Sequence, residues 1–147
     1  MAVKALIPHL VVNDGVAAAE FYKKAFDAVE VMRMPAEDGK RLMHLSMKIG
    51  DAPFMACDDF PEYCGGVIRN PKHTGTTGVT LHLVVDDCDT AMDKAVAAGA
   101  TLKMPATDMF WGDRYGQVLD PFGHEWSIST PLSPERAKAA AANVMKM

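Results

Sequence analysis

Cysteine is scarce in this chain: Cys57, Cys64 and Cys88 are odd in number and unevenly spaced, with no Cys-x-x-Cys pair. That pattern excludes a disulfide framework and a zinc knuckle, and points to free thiols in a reducing compartment. Long apolar runs are missing too; none approaches the length needed to span a bilayer. The opening Met1-Ala2-Val3-Lys4 runs directly into a strand pattern without a signal-peptide core, so the expected location is cytoplasmic, with no membrane partner. Basic charge is neither abundant nor blocked together. With a net charge of -4 and scattered Lys and Arg, the chain lacks the electrostatic footprint of a nucleic-acid binder. No long polar tract marks disorder.

What is present is an ordinary globular composition, 147 residues and 49% hydrophobic, enough for one domain with a real core. Its most informative feature is a repeat. His9-Leu10-Val11-Val12-Asn13-Asp14 returns as His82-Leu83-Val84-Val85-Asp86-Asp87, and each copy precedes an alanine-rich helical segment. The first helix is read over Val16 to Phe26 and the second over Asp89 to Ala98, closing on Gly99. Two halves that each begin strand-then-helix indicate a duplicated module.

Alternation in the second copy puts Leu81, Leu83 and Val85 on one face and Thr80, His82 and Val84 on the other. By the same phase His9 lies with Ile7 and Val11, opposite Leu10 and Val12. The first strand is read as residues 5–12. Further strands are expected at 28–34, 42–49 and 53–57, then at 79–85, 101–104, 116–119 and 124–129, separated by turn signals such as Asp38-Gly39, Gly50-Asp51 and Pro121-Phe122-Gly123. Each module is therefore β-α-β-β-β. The fold class is α+β, one domain over 1–147, with modules 1–58 and 78–130, a linker 59–77 and a C-terminal helix 133–147. The linker is rich in Gly, Pro and Asn, and loops of that length are usually functional or mobile. Ser133-Pro134-Glu135 supplies a cap, an N1 proline and an acid for the last helix. If each sheet carries its helix on one face, the face bearing His9, Thr80 and His82 is left to line a cup.

Ile7-Pro8-His9-Leu10-Val11-Val12, Glu20-Phe21-Tyr22-Lys23-Lys24-Ala25-Phe26, Phe110-Trp111-Gly112-Asp113-Arg114-Tyr115-Gly116 and Asp120-Pro121-Phe122-Gly123-His124-Glu125-Trp126 together resemble the vicinal-oxygen-chelate superfamily of glyoxalases, bleomycin-resistance proteins and extradiol dioxygenases. More narrowly they look like its PhnB-like, uncharacterised glyoxalase branch. The resemblance covers the chain to about Ser129 and implies two tandem βαβββ modules forming a cup-shaped mixed sheet. One departure is Asp27, where this branch usually ends the helix on glycine; Asp tolerates a left-handed cap better than most residues.

Metal-dependent members of that superfamily take one ligand from each of four strands. Carried over onto this chain, the four positions are Ile7, a residue near Ala56, Thr80 and Ser127, none of them a good divalent-metal ligand. His9 and His82 share the face but lie about 6–7 Å along their strands. A shifted site of His9, His82 and Glu125 is disfavoured, because the histidines move forward and Glu125 backward. The expectation is no metal and no cofactor.

Two readings stay open for the loop at 110–115: it stacks on and orients a planar or anionic ligand through Trp111, Arg114 and Tyr115, or it is a hairpin clasp with Asp113 on Arg114 or the turn. Trp126 is expected in the core, His44 as a satisfied core or surface histidine, His73 as solvated, and Cys57 as a thiol with a raised pKa. Met32, Met34, Met43, Met47, Met55, Met104 and Met109 suit an adaptable apolar lining, or gap-filling in the core. The resulting expectation is a homodimeric protein that binds a small apolar or aromatic molecule in a metal-free cup through His9, His82, Trp111, Arg114, Tyr115, Glu125 and Ser127. The alternative is a metal-dependent lyase, isomerase or dioxygenase acting on a vicinal-oxygen or electrophilic substrate.

Overall fold

The computed structural model describes residues 1–144. Its order is β1 (His9–Val12), α1 (Gly15–Phe26), β2 (Val29–Pro35), β3 (Leu42–Ile49), β4 (Ala52–Asp58), a 3-10 turn (Pro61–Tyr63), α2 (Pro71–Thr74), β5 (Thr80–Val84), α3 (Cys88–Ala98), β6 (Thr101–Asp108), β7 (Asp113–Leu119), β8 (Glu125–Pro131) and α4 (Pro134–Val144). The two halves form separate four-stranded sheets, ordered β1-β4-β3-β2 and β5-β8-β7-β6. In each, the first strand lies parallel to the last and the other pairings are antiparallel. The duplicated βαβββ plan is thus present, and among the described residues no strand of one module pairs with a strand of the other. The expected C-terminal helix is present to Val144, and its last residues, 145–147, lie outside the described residues.

The repeated hexapeptide has a mechanical explanation. Its last residue caps the following helix in both copies: Asp14 accepts from the Ala17 N–H at 3.0 Å and Asp87 from the Thr90 N–H at 3.1 Å. At the far end of α1, Asp27 takes the left-handed cap conformation, φ 55° and ψ 31°, that its residue type tolerates. The first strand is shorter than the expected 5–12. Pro8 and Pro53 both lack an N–H, and β4 starts only at Ala52 after the Gly50 turn, so residues 5–7 have no ladder to join. By contrast, β6 and β7 extend past their expected ends and take in much of the 105–115 segment.

Helices α1 and α3 lie against their own sheets and against each other. Between them sits one aromatic core drawn from both halves: Tyr22, Phe21 and Phe54 from the first, Phe122 and Trp126 from the second. Trp126 packs at 4.6 Å from the half-buried Phe26 and 5.5 Å from Tyr22, ring centre to ring centre. In the middle is the carboxylate of Asp120, 2% exposed. It accepts four hydrogen bonds: Tyr22 Oη at 2.5 Å, Trp126 Nε1 at 2.9 Å, and the backbone N–H groups of Phe122 and His124, both at 2.9 Å. Burial, with the adjacent Asp120 charge, raises the Tyr22 hydroxyl well above its ordinary pKa, so Tyr22 stays a donor. A second cross-module bond runs from His124 Nε2 to the Val11 carbonyl at 2.8 Å, covering the outer edge of β1.

The linker is not a free loop. Asp59 accepts from the backbone of Arg69 and Asn70 at 2.8 and 2.9 Å, and Arg41 holds Glu62 through both guanidinium ends. Asn70 then caps α2, which packs on Gly123; a Cβ there would stand 2.8 Å from Pro71 Cβ, and φ is +88°. His73 is exposed, as expected.

Replacing Asp120 by Ala leaves four buried donors without this partner: the Tyr22 hydroxyl, Trp126 Nε1 and the Phe122 and His124 N–H groups. The expected loss is at least about 4 kcal/mol, four unsatisfied buried donors at roughly 1–3 kcal/mol each. Tyr22→Phe removes one bond to a charged acceptor and should cost about 1.5–3 kcal/mol. Urea denaturation followed by circular dichroism measures both; a change under 1 kcal/mol in Asp120→Ala, well below that range, would contradict this account.

Candidate functional site: two open sheet faces

With a helix on one face of each sheet, the opposite face of each is open. Cross-strand register fixes what it carries. On the first sheet His9 pairs with Met55, Val11 with Cys57, Ser46 with Met55, Met32 with Ser46 and Met34 with His44. Paired residues share a face, so the first open face joins two histidines, three methionines, Ser46 and Cys57. On the second sheet Thr80 pairs with Glu125, His82 with Ser127, Val84 with Ser129, Tyr115 with Ser129 and Gln117 with Ser127. His9 and His82 occupy equivalent places on the two faces, and both are exposed.

The second face is the more ordered in its polar contacts. The His82 ring lies between two hydroxyls, Ser127 Oγ at 2.7 Å from Nδ1 and Ser129 Oγ at 2.9 Å from Nε2. A neutral imidazole has one donor and one acceptor, so one serine donates to the ring and the other accepts from it, and the ring is held in one orientation. Tyr115 stacks on His82 at 5.9 Å with 19° between planes, and Trp111 meets Tyr115 edge-on at 5.4 Å. Gln117 Nε2 donates to the Tyr115 hydroxyl at 3.0 Å, and Thr80 donates to Glu125 at 3.3 Å. Trp111 is itself steadied by donating to Asp113 at 3.1 Å.

On the first face His9 and His44 meet edge-on, 6.1 Å apart, and His44 Nε2 lies 2.7 Å from Ser46 Oγ. Burial lowers the His9 pKa, helped by His44 and the Arg69 cation nearby. Burial raises the Cys57 thiol, which removes it from consideration as a thiolate nucleophile at neutral pH.

Of the residues singled out in the sequence, His82, Trp111, Tyr115, Glu125 and Ser127 come together on the second face, while His9 lies on the first. Arg114 does not join them. It alternates with Tyr115 and points to the helix side, where Nε and Nη2 hold Asp89 at 3.0 and 2.9 Å and Nη1 holds Asp108 at 3.0 Å. Arg136 of α4 holds the same Asp108. The hairpin-clasp reading therefore describes Arg114, with Asp89 and Asp108 in place of Asp113. Reasoning from the sequence passed over Ser129, two residues beyond Ser127 and on the same face by simple alternation. It also passed over Arg69, which lies in a segment without periodicity and gave no signal.

The superfamily's metal positions fit no better in three dimensions. Ala56 is fully buried on the helix side, and Thr80 and Ser127 reach the open face with hydroxyls only. Among the described residues no group of three or more His, Cys, Asp or Glu is close enough to hold a metal ion.

A sequence model described as the glyoxalase/bleomycin resistance protein/dioxygenase superfamily matches residues 5–128. The chain belongs to that superfamily, also called the vicinal-oxygen-chelate superfamily. An uncharacterized protein of Mycobacterium tuberculosis is 50% identical over 128 residues, 87% of this chain and 75% of its own. A solved protein of Pseudomonas aeruginosa superposes with a TM-score of 0.70 at 22% identity, covering 89% of this chain and all of its own. A glyoxalase-related enzyme of Fulvimarina pelagi gives 0.69 at 23%, over 87% of this chain and 88% of its own. At those identities the structures establish the shared fold.

The Arg114 cluster carries a pH signature. The Arg114 bonds hold Asp89 below its ordinary value, and Arg136 followed by Arg114 does the same for Asp108. Carboxyls lowered in the folded state contribute stability above pH 3.8, lost as pH falls from there toward their folded values. The melting temperature of the wild type should therefore drop more steeply below pH 4 than that of Arg114→Ala. Parallel curves would remove the cluster from the acid response.

Proposed function

We propose that this protein binds a small, mostly apolar or aromatic molecule against its open sheet faces, without a metal and without acting through His82 as a base. The observation that carries this is the His82 ring held at both nitrogens by buried serines and stacked on Tyr115. A base needs a free lone pair aimed at substrate, whereas a ring tied at both ends offers a fixed flat surface. Tyr115 and Trp111 extend that surface, and Met32, Met34 and Met55 supply adaptable apolar area on the other face. The superfamily positions read as Ile7, Ala56, Thr80 and Ser127 support a metal-free site; the PhnB-like branch is the nearest family description of such a chain.

Neither face is enclosed within one chain. Met32, Met34 and Val84 are 46%, 51% and 69% exposed, large apolar groups left uncovered on the two faces. A homodimer in which two copies close the cup covers them and fits the two-fold habit of such assemblies. One concavity within one chain, of about 250 Å³, lies at the module junction and is lined by Pro53, Phe54, Thr80, Leu81, His82 and Trp126.

Trp111 is half exposed and Trp126 is buried, so Trp111 fluorescence reports on the open face. Aromatic ligands should quench it saturably, and Tyr115→Ala should weaken the response about three- to tenfold, the worth of an aromatic pair. Near-stoichiometric zinc, nickel, manganese or iron in untagged protein purified without chelator would overturn the metal-free reading. Sedimentation showing only monomer at micromolar concentration would overturn the dimeric cup.

A further inference from the structure

The chain has five arginines. Arg33, Arg41, Arg114 and Arg136 each hold a carboxylate in an ion pair. Arg69 alone pairs with none among the described residues, and it is exposed. Its position is nevertheless fixed. Asp59, one residue past the end of β4, accepts the Arg69 N–H at 2.8 Å, and its other oxygen takes the Asn70 backbone and side-chain donors at 2.9 and 2.5 Å. Both Asp59 oxygens are thereby occupied by donors other than the guanidinium. The anchor holds Arg69 at the β4 end of the first sheet, where Val11 and Cys57 face each other across the open side, two residues beyond His9 and Met55.

The charge acts on that face. Burial lowers His9, and the Arg69 cation lowers it further; burial raises Cys57, and the same cation opposes that rise. Two groups on the open face thus feel the Arg69 guanidinium, which makes no ion pair among the described residues, although the Asp59 carboxylate feels the same cation. Of these, His9 meets His44 edge-on at 6.1 Å, and both are imidazoles able to donate a hydrogen bond.

We propose that Arg69, with His9 and His44, forms the anion-holding end of the first open face and selects small molecules that carry a carboxylate or similar oxyanion on an apolar or aromatic body. This rests on the reading of the open faces as a ligand site, and assigns the charge recognition within it. The body of such a ligand lies over Met32, Met34 and Met55, and the oxyanion meets the guanidinium fork. Arg114, occupied by Asp89 and Asp108, takes no part.

The test uses benzoate and benzamide, which share a ring and differ by one charge, with binding followed by the histidine ring NMR signals and by Trp111 fluorescence. Benzoate should shift the His9 and His44 signals saturably and bind at least about tenfold more tightly than benzamide, as expected for a hydrogen bond to a charged group. Arg69→Ala should erase that preference, Arg69→Lys should restore part of it, and Arg114→Ala should leave it intact. Because the Arg69 side chain makes no hydrogen bond among the described residues, Arg69→Ala should melt within a few degrees of wild type, which keeps the comparison clean. Retention of the preference in Arg69→Ala would overturn the assignment. Equal binding of acid and amide, seen at His82 and Trp111 only, would overturn the Arg69 role while leaving the ligand site standing. No saturable response at any histidine or at Trp111 would overturn both.

Discussion

Everything else in this molecule is arranged around one buried carboxylate. Asp120 stands at the junction of the modules, and its four donors come from α1, from the β7–β8 turn and from β8. A carboxylate removed from water is tolerable only when its lone pairs are met, and here all are. Two of the donors are the polar tips of Tyr22 and Trp126, large aromatic groups that need a partner for those tips once buried. The acceptor and the aromatic donors therefore justify one another. Because Tyr22 belongs to the first module and Trp126 to the second, the same cluster sets how the halves meet.

That junction consumes the helix side of both sheets. It leaves the two opposite faces uncovered, and the duplicated sequence places equivalent histidines on them. The equivalence is one of position only. His82 is locked by serines and an aromatic stack, whereas His9 sits beside a second histidine and feels the Arg69 cation. Duplication gave two copies of a platform, and the side chains around each histidine have since diverged. One face presents a flat aromatic surface, and the other carries methionines and two histidines.

Charge pairing separates arginines that look alike in sequence. Arg114 lies in an aromatic-rich loop, the setting in which a ligand-orienting guanidinium is expected, yet strand alternation turns it toward α3 and two aspartates. Arg69 lies in a linker with no recognisable pattern, yet Asp59 binds its backbone N–H and its side chain makes no ion pair among the described residues. Surface ion pairs contribute little stability, but they decide which charges remain available.

The sequence by itself determined the modules. A hexapeptide repeat, strand alternation and turn residues are local signals, each set by residues within a few positions, and they placed the strands, the helices, the open-face histidines and the buried Trp126. Local signals also identified Ser127 and Glu125 as neighbours on one face. The bounds of β1 were beyond them, because a strand exists only as far as its partner does, and β4 begins only at Ala52, after the Gly50 turn. The separation into two unpaired sheets, the order within the linker and the direction of Arg114 were likewise decided only in three dimensions. Asp120 is the clearest case. Its motif was visible, but its role depends on Tyr22, 98 residues earlier in the chain, and no local pattern connects groups that meet only when both modules have folded.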